Sequence, residues 1–161
     1  MPDQIQQMLS MVKDAHKKLD AELKGVSDEA FFGAPKPGDW AISEILGHTM
    51  ELQWFWMSKI RIILAQDNPK LVRSEGESAG RAGFVATYKG YPREVTMRVL
   101  RHANQDILDD IAKLPADKLG RTGTRGDGRV VNIPQQVEII AKHIEEHANQ
   151  IKENKRLLGK K

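Results

Sequence analysis

The sequence contains no cysteine among its 161 residues. This absence excludes a disulfide-stabilised fold, a thiolate zinc site and a cysteine nucleophile, so a metal ion would have to be bound by His, Asp or Glu. No apolar run approaches the ~18 residues of a membrane span, and the start, Met1-Pro2-Asp3-Gln4-Ile5, lacks the basic and apolar regions of a signal peptide. We therefore expect a cytoplasmic protein with no membrane partner.

The chain also has no large excess of one charge. It contains 25 Lys and Arg residues and 22 Asp and Glu residues, which gives a net charge of +3. Basic and acidic residues are interleaved along most of the chain, and only the tail from Lys152 to Lys161 is locally positive. We expect no specific nucleic-acid partner. The length predicts a single domain over residues 1–161 with a sizeable core.

Four segments carry apolar residues at helical spacing, and no segment alternates convincingly with a period of two. The pattern therefore predicts an all-α protein. Glycine and proline collect between the segments, as is typical of helix ends and connections. The predicted helices run from about Asp3 to Lys24, Ala41 to Gln66, Pro92 to Leu114 and Pro134 to Leu158.

Four amphipathic helices of this length favour a four-helix bundle. Residues 67–91 form a connection far longer than the ~2–8 residues usual between neighbouring bundle helices. We expect this connection to cross the bundle lengthwise and to contain a short helix or a lid. Such a crossover makes the second and third helices parallel, which gives an up-down-down-up order.

Three histidines are predicted to face the bundle interior. His143 and His147 lie one turn apart in the last helix, and His48 lies between Ile45 and Leu52 in the second. Helix lengths place all three within one to two turns of the same level. Such imidazoles can converge on a divalent metal, or they can be core side chains hydrogen-bonded to polar neighbours, and the spacing alone leaves both alternatives open.

The other two histidines differ from each other. His102 lies on the polar face of the third helix, so we expect it to be exposed. His16 lies in the apolar stripe of the first helix, beside Val12 and Leu19. It could be a fourth ligand, but we favour a buried structural histidine or a hydrogen-bond donor that supports a ligand.

The segment His143-Ile144-Glu145-Glu146-His147 matches the inverted zinc-protease pattern H-x-x-E-H. Proteases with this pattern are far larger and need a further acidic ligand well downstream, whereas this sequence continues for only fourteen residues. The match therefore does not indicate a peptidase. Glu146 nonetheless lies within a turn of both histidines, where it could act as a base or support a ligand.

Two motifs together resemble a known family. They are Trp40-Ala41-Ile42-Ser43-Glu44-Ile45-Leu46-Gly47-His48, which opens the second helix, and His143-x3-His147 followed by Asn149-Gln150-Ile151. With the helix order and the long second connection, the chain resembles the DinB/YfiT-like superfamily over most of its length.

The resemblance implies that His48, His143 and His147 bind a divalent ion, whereas His16 and Glu146 match no family ligand. We rank zinc first and nickel second, because both suit imidazole ligands. Three imidazoles leave a coordination position open, as in catalytic rather than structural sites.

The resemblance further implies a transferase that acts with a low-molecular-weight thiol such as bacillithiol or mycothiol. An open divalent site can bind a thiol as its thiolate and so supply the nucleophile that a chain without cysteine lacks. Arg121, Arg125 and Arg129 lie in the glycine-rich third connection, where they could bind carboxylates of this thiol cofactor.

Two alternatives remain at this point. A metal-dependent hydrolase would use the same histidines with Glu146 or Glu51 as the base. A non-catalytic metal-binding bundle would need neither. For an enzyme the expected partner is a small-molecule substrate, and the chain could pair with a second copy in a homodimer.

Overall fold

The computed structural model describes residues 2–159. Its long helices follow the four predicted segments within two residues at every end, and two shorter helices lie between them. In chain order they are α1 (Pro2–Leu23), α2 (Asp28–Phe32), α3 (Ile42–Ala65), α4 (Glu75–Lys89), α5 (Arg93–Ala112) and α6 (Ile133–Leu158). The long helices α1, α3, α5 and α6 form the bundle.

Helices α3 and α5 run in the same direction. Gln53 Nε2 donates to Asn104 Oδ1 at 3.0 Å, and eight residues further along α3 Arg61 pairs with Asp110 at 2.5 Å. Because the partner number rises along both helices, the two are parallel. This confirms that the second and third long helices are parallel, as expected if the connection between them crosses the bundle lengthwise.

Helices α1 and α6 are also parallel to each other. Lys18 pairs with Glu145, and one turn later Glu22 pairs with Lys155, both at 3.1 Å. The partners again rise together in number along both helices.

Helices α3 and α6 run in opposite directions. The Trp40 carbonyl just before α3 accepts from Asn154 Nδ2 near the end of α6, while His48, further along α3, meets His147, which is earlier in α6. The order of the four long helices is therefore up-down-down-up, and the predicted topology is confirmed.

The crossover contains the short helix that its length predicted. Helix α4 opens with a capping box, in which Ser74 and Glu77 bond to each other's backbone N–H groups. Lys59 of α3 pairs with Glu77 at 3.2 Å. Gly47 lets α4 approach closely, since a Cβ there would lie 3.3 Å from Tyr88 Cβ. The crossover therefore packs along α3 beside the segment that carries His48.

A small three-stranded sheet at the other end of α3 was not predicted. Strand β1 (Lys70–Leu71) pairs in parallel with β2 (Thr122–Arg125), which forms an antiparallel hairpin with β3 (Val130–Asn132). Strands of two to four residues are too short to show a period of two, so the sequence pattern could not reveal them. Within residues 2–159 no helix is long and apolar enough to cross a membrane.

Candidate metal centre between helices α3 and α6

The structure brings together the three histidines that the spacing singled out. The ring centroids of His48 and His147 lie 4.8 Å apart with the rings nearly perpendicular, and those of His143 and His147 lie 6.4 Å apart. Antiparallel packing of α3 against α6 puts the second turn of α3 beside the middle turns of α6. We call these three residues the histidine cluster.

His147 is oriented by a residue of its own helix. Gln150 Oε1 lies 3.0 Å from His147 Nδ1. Because an amide oxygen only accepts, Nδ1 carries the proton and donates, which leaves the lone pair of Nε2 available to a ligand. Burial lowers the pKa of His147, so the ring is neutral near pH 7.

His48 is held against the ring of Trp40, whose centroid lies 5.4 Å away. Its Nδ1 is buried without a hydrogen-bond partner, as is Nδ1 of His143. Burial, reinforced by the charges of His147 and Arg81, lowers the pKa of His48 to about 3. His48 is therefore a neutral imidazole near pH 7.

A bidentate ion pair lies next to His48. Arg73 donates to the two carboxylate oxygens of Glu51 at 2.5 and 2.9 Å, and its guanidinium stacks over Phe55 at 3.8 Å. The side chains of Arg73 and Glu51 are only 15% and 12% exposed. Glu51 Oε2 is 3.8 Å from His48 Nδ1, too far for a hydrogen bond. The pair therefore ties the crossover to the turn of α3 that follows His48.

The donors of the histidine cluster fit a divalent ion by their chemistry. They are imidazoles, two of which have a buried nitrogen without a partner, while the third is oriented with Nε2 free. Within residues 2–159, no group of three or more His, Asp or Glu side chains is placed so that it could hold a metal ion without rearrangement. The cluster thus supplies the ligand types and their proximity, and its rings are not arranged around an ion.

His16 belongs to a separate buried network. Its Nε2 donates to Gln53 Oε1 at 2.8 Å, and Gln53 Nε2 donates to Asn104 Oδ1 and to the Thr49 carbonyl. Burial lowers the pKa of His16. These contacts join α1, α3 and α5 in the core, which makes His16 a structural histidine. His102 is exposed, as its face of the helix predicted.

Glu146 and Arg121, two of the predicted site residues, lie at different distances from the histidine cluster. Glu146 is exposed, and its charge acts on His147 against the effect of burial. Arg121 donates to the Ile63 and Gln66 carbonyls, so it caps the end of α3 that lies ~22 Å along the helix from His48. It stabilises that helix end in this structure.

The other two arginines of the third connection differ in exposure. Arg129 is exposed and pairs with Asp127 at 2.8 Å. Arg125 is half-buried over the ring of Trp56, at 4.8 Å, and donates to Gln136 at 2.7 Å. Of the three arginines, Arg125 therefore contacts both α3 and α6, the helices that carry the histidine cluster.

Sequence reasoning did not identify Arg73 or the role of Gln150. Arg73 lies 22 residues from Glu51, in a connection whose path no periodicity reveals. Gln150 could have been found, because it follows His147 at the i, i+3 spacing that lets helical side chains meet.

The fold and the cluster together define a four-helix bundle with a lengthwise crossover and histidines on facing antiparallel helices. A sequence profile of the DinB superfamily matches residues 11–151, and the chain belongs to this superfamily. The resemblance found in the two motifs is thereby confirmed. No curated protein matches the chain in sequence.

Solved structures of the same fold include YfiT from Bacillus subtilis, described as a probable metal-dependent hydrolase with an unusual four-helix bundle topology. It is 14% identical, with a TM-score of 0.77 over 99% of this chain and 90% of YfiT. The mycothiol-dependent maleylpyruvate isomerase is 14% identical, with a TM-score of 0.73 over 91% of this chain. A histidine-to-alanine mutant of that isomerase is 12% identical to this chain, with a TM-score of 0.74. The chain spans 60% of the isomerase's length.

Proposed function

We propose that the protein is a divalent-metal-dependent enzyme that transfers a low-molecular-weight thiol to an electrophilic substrate. His48, His143 and His147 would hold the ion, with zinc ranked ahead of nickel. The observation that carries the proposal is the hydrogen bond from His147 to Gln150, together with the two buried ring nitrogens that have no partner. When bound, the ion lowers the pKa of a thiol from ~8.5 and stabilises its thiolate.

The chain's own residues would orient and shield the reacting groups. Gln150 fixes the tautomer and direction of the His147 ring. Trp40 covers one side of His48. Arg73, anchored by Glu51 and Phe55, holds the crossover beside His48.

The surrounding carboxylates favour thiol transfer over hydrolysis. Hydrolysis needs a group that accepts a proton from water, and both oxygens of Glu51 already accept from Arg73. Attack by a thiolate needs no such base. Hydrolysis is the second candidate because of the similarity to YfiT, and Glu146, whose charge acts on His147, would then be the base.

The first experiment is metal analysis of the purified protein. We expect about one divalent ion per chain, as one site of three imidazoles implies, and none in His147→Ala. His102→Ala is the matched control, because His102 is exposed on another helix. Full metal content in His147→Ala would refute the ligand assignment.

The second experiment pairs bacillithiol, mycothiol, glutathione or cysteine with a chlorobimane dye. We expect conjugation with at least one thiol and its loss after metal removal. Metal-loaded protein that conjugates none of them above background refutes thiol transfer. Metal-dependent cleavage of ester or amide substrates by the same protein would establish the second candidate.

A further inference from the structure

We propose that Arg125 and Gln136 form a carboxylate-binding subsite where Arg125 meets α3 and α6. Trp56 forms its floor, and we call these three residues the anion subsite. The subsite would bind the far end of the small molecule whose reactive end lies at the histidine cluster. The inference rests on the proposed function for that reactive end only.

Arg125 lacks the acidic partner that comparable arginines have. Three other arginines in the described part of the chain are partly buried, and each pairs with a carboxylate: Arg73 with Glu51, Arg93 with Asp28, and Arg121 with Asp67. Among residues 2–159, Arg125 has no carboxylate within 4 Å. The nearby Asp127 pairs with Arg129 instead. Burial lowers the pKa of Arg125, as expected of a partly desolvated cation.

Beside Arg125, the side-chain amide of Gln136 provides a second hydrogen-bond donor that has no acceptor. Its side chain is fully buried, and its Oε1 accepts from Arg125 at 2.7 Å, yet its Nε2 has no hydrogen-bond partner. A buried amide N–H group without an acceptor is uncommon in a native structure. A carboxylate is the group that matches both sets of donors, because its two oxygens can accept from a guanidinium and an amide together.

The backbone fixes Arg125 firmly. It ends β2, where its N–H donates to the Arg129 carbonyl at 2.8 Å and its carbonyl accepts from Gly128. Side chains alternate along a strand, so Arg125 projects to the same side as Gly123, which is buried against Leu71. The guanidinium therefore extends toward the bundle and rests on Trp56.

The spacing along α6 sets the size of the ligand. Gln136 precedes His143 by seven residues, which places both on one face of the helix, ~10 Å apart along its axis. A molecule bound at both places would carry a carboxylate ~10 Å from its reactive atom. The proposed subsite therefore favours acidic molecules long enough to span about two turns of α6.

The test measures binding of succinate to EDTA-treated protein by titration calorimetry, with uncharged succinamide as the control ligand. We expect succinate to bind and succinamide not to bind. Arg125→Gln should weaken succinate binding about tenfold or more, because charge-assisted hydrogen bonds are lost. Gln136→Leu should weaken it about fivefold, and its circular dichroism shows whether the fold is retained. Arg98→Gln, which changes an exposed arginine of α5, should leave affinity within about twofold.

Four results would overturn the subsite: no binding of succinate to the wild type, equal binding of succinamide, an equal loss in Arg98→Gln, or unchanged binding in Arg125→Gln. Tighter binding of inorganic phosphate than of succinate would overturn the assignment to carboxylates. Because no metal is present, failure of thiol transfer leaves this result intact. Failure of the anion subsite likewise leaves the metal and conjugation assays unaffected.

Discussion

Removing Arg73 tests how firmly the crossover is anchored beside the histidine cluster. In Arg73→Met the mostly buried carboxylate of Glu51, 12% exposed, loses both of its hydrogen-bond donors. Methionine retains an apolar contact with Phe55, so most of the change is electrostatic. The measurement uses metal-free protein, so that metal affinity does not enter the free energy of unfolding.

Breaking a buried ion pair from one side costs about 3–5 kcal/mol. Because both side chains keep some exposure, we expect the lower limit, about 3 kcal/mol. In a protein of this length that lowers the melting temperature by about 6–12 °C. Arg61→Met is the matched control: Arg61 also joins α3 to another helix, but its pair with Asp110 is 58% and 31% exposed. Loss of the Arg61–Asp110 pair should lower the free energy of unfolding by no more than about 1 kcal/mol.

Urea denaturation of the two single variants and of Glu51→Leu/Arg73→Met measures these differences. The double variant should recover most of the stability, because replacing both members of a buried pair by apolar groups is often nearly neutral. Equal losses in Arg73→Met and Arg61→Met, or a double variant as unstable as Arg73→Met, would refute the reasoning.

The remaining predictions concern single contacts. Gln150→Leu should weaken metal binding about 10- to 100-fold in a chelator competition, because His147 loses its acceptor; exposed Asn149→Leu should not, and equal effects would contradict this role. Gly123→Ala should cost about 1–3 kcal/mol in urea denaturation, since its Cβ would lie 2.8 Å from the Leu71 side chain. Gly120→Ala has open space and should be neutral; a neutral Gly123→Ala would show that Leu71 moves aside. Because burial lowers the pKa of folded His16, the unfolded chain binds more protons, and stability falls as pH drops below ~6.5 toward the folded pKa. His16→Gln should flatten this decline and keep full metal content; an unchanged slope or lost metal would contradict a structural His16.

The bundle was predictable because helical periodicity and connection length are local properties of the sequence. The predicted second helix, from about Ala41 to Gln66, coincides with α3 (Ile42–Ala65). The sheet was not predictable, since β1 and β2 pair Lys70 with Thr124 across 54 residues. Neither segment is long enough to show a pattern, and the pairing exists only once the bundle has brought the two connections together.

The candidate site also has a part that the sequence predicts and a part that it does not. His143 and His147 follow from i, i+4 spacing, and His48 from the helix face it occupies, because helical geometry converts sequence spacing into position. Which arginine contacts both α3 and α6 could not be inferred, since Arg121, Arg125 and Arg129 lie in one glycine-rich connection without periodicity. Strand alternation and the hairpin, which sequence reasoning missed, direct only Arg125 toward α3 and α6.

The proposed metal ligand His48 and the residue that anchors the crossover, Glu51, share one turn of α3. Glu51 lies three residues after His48, and its carboxylate is held by Arg73 of the crossover. Displacing the crossover would leave that carboxylate unpaired 3.8 Å from a ring that the ion needs neutral and correctly turned. If His48 binds an ion as proposed, the bound ion and the docked crossover would stabilise each other by linkage. We therefore expect substitutions in the crossover to change metal affinity without touching any of the three histidines.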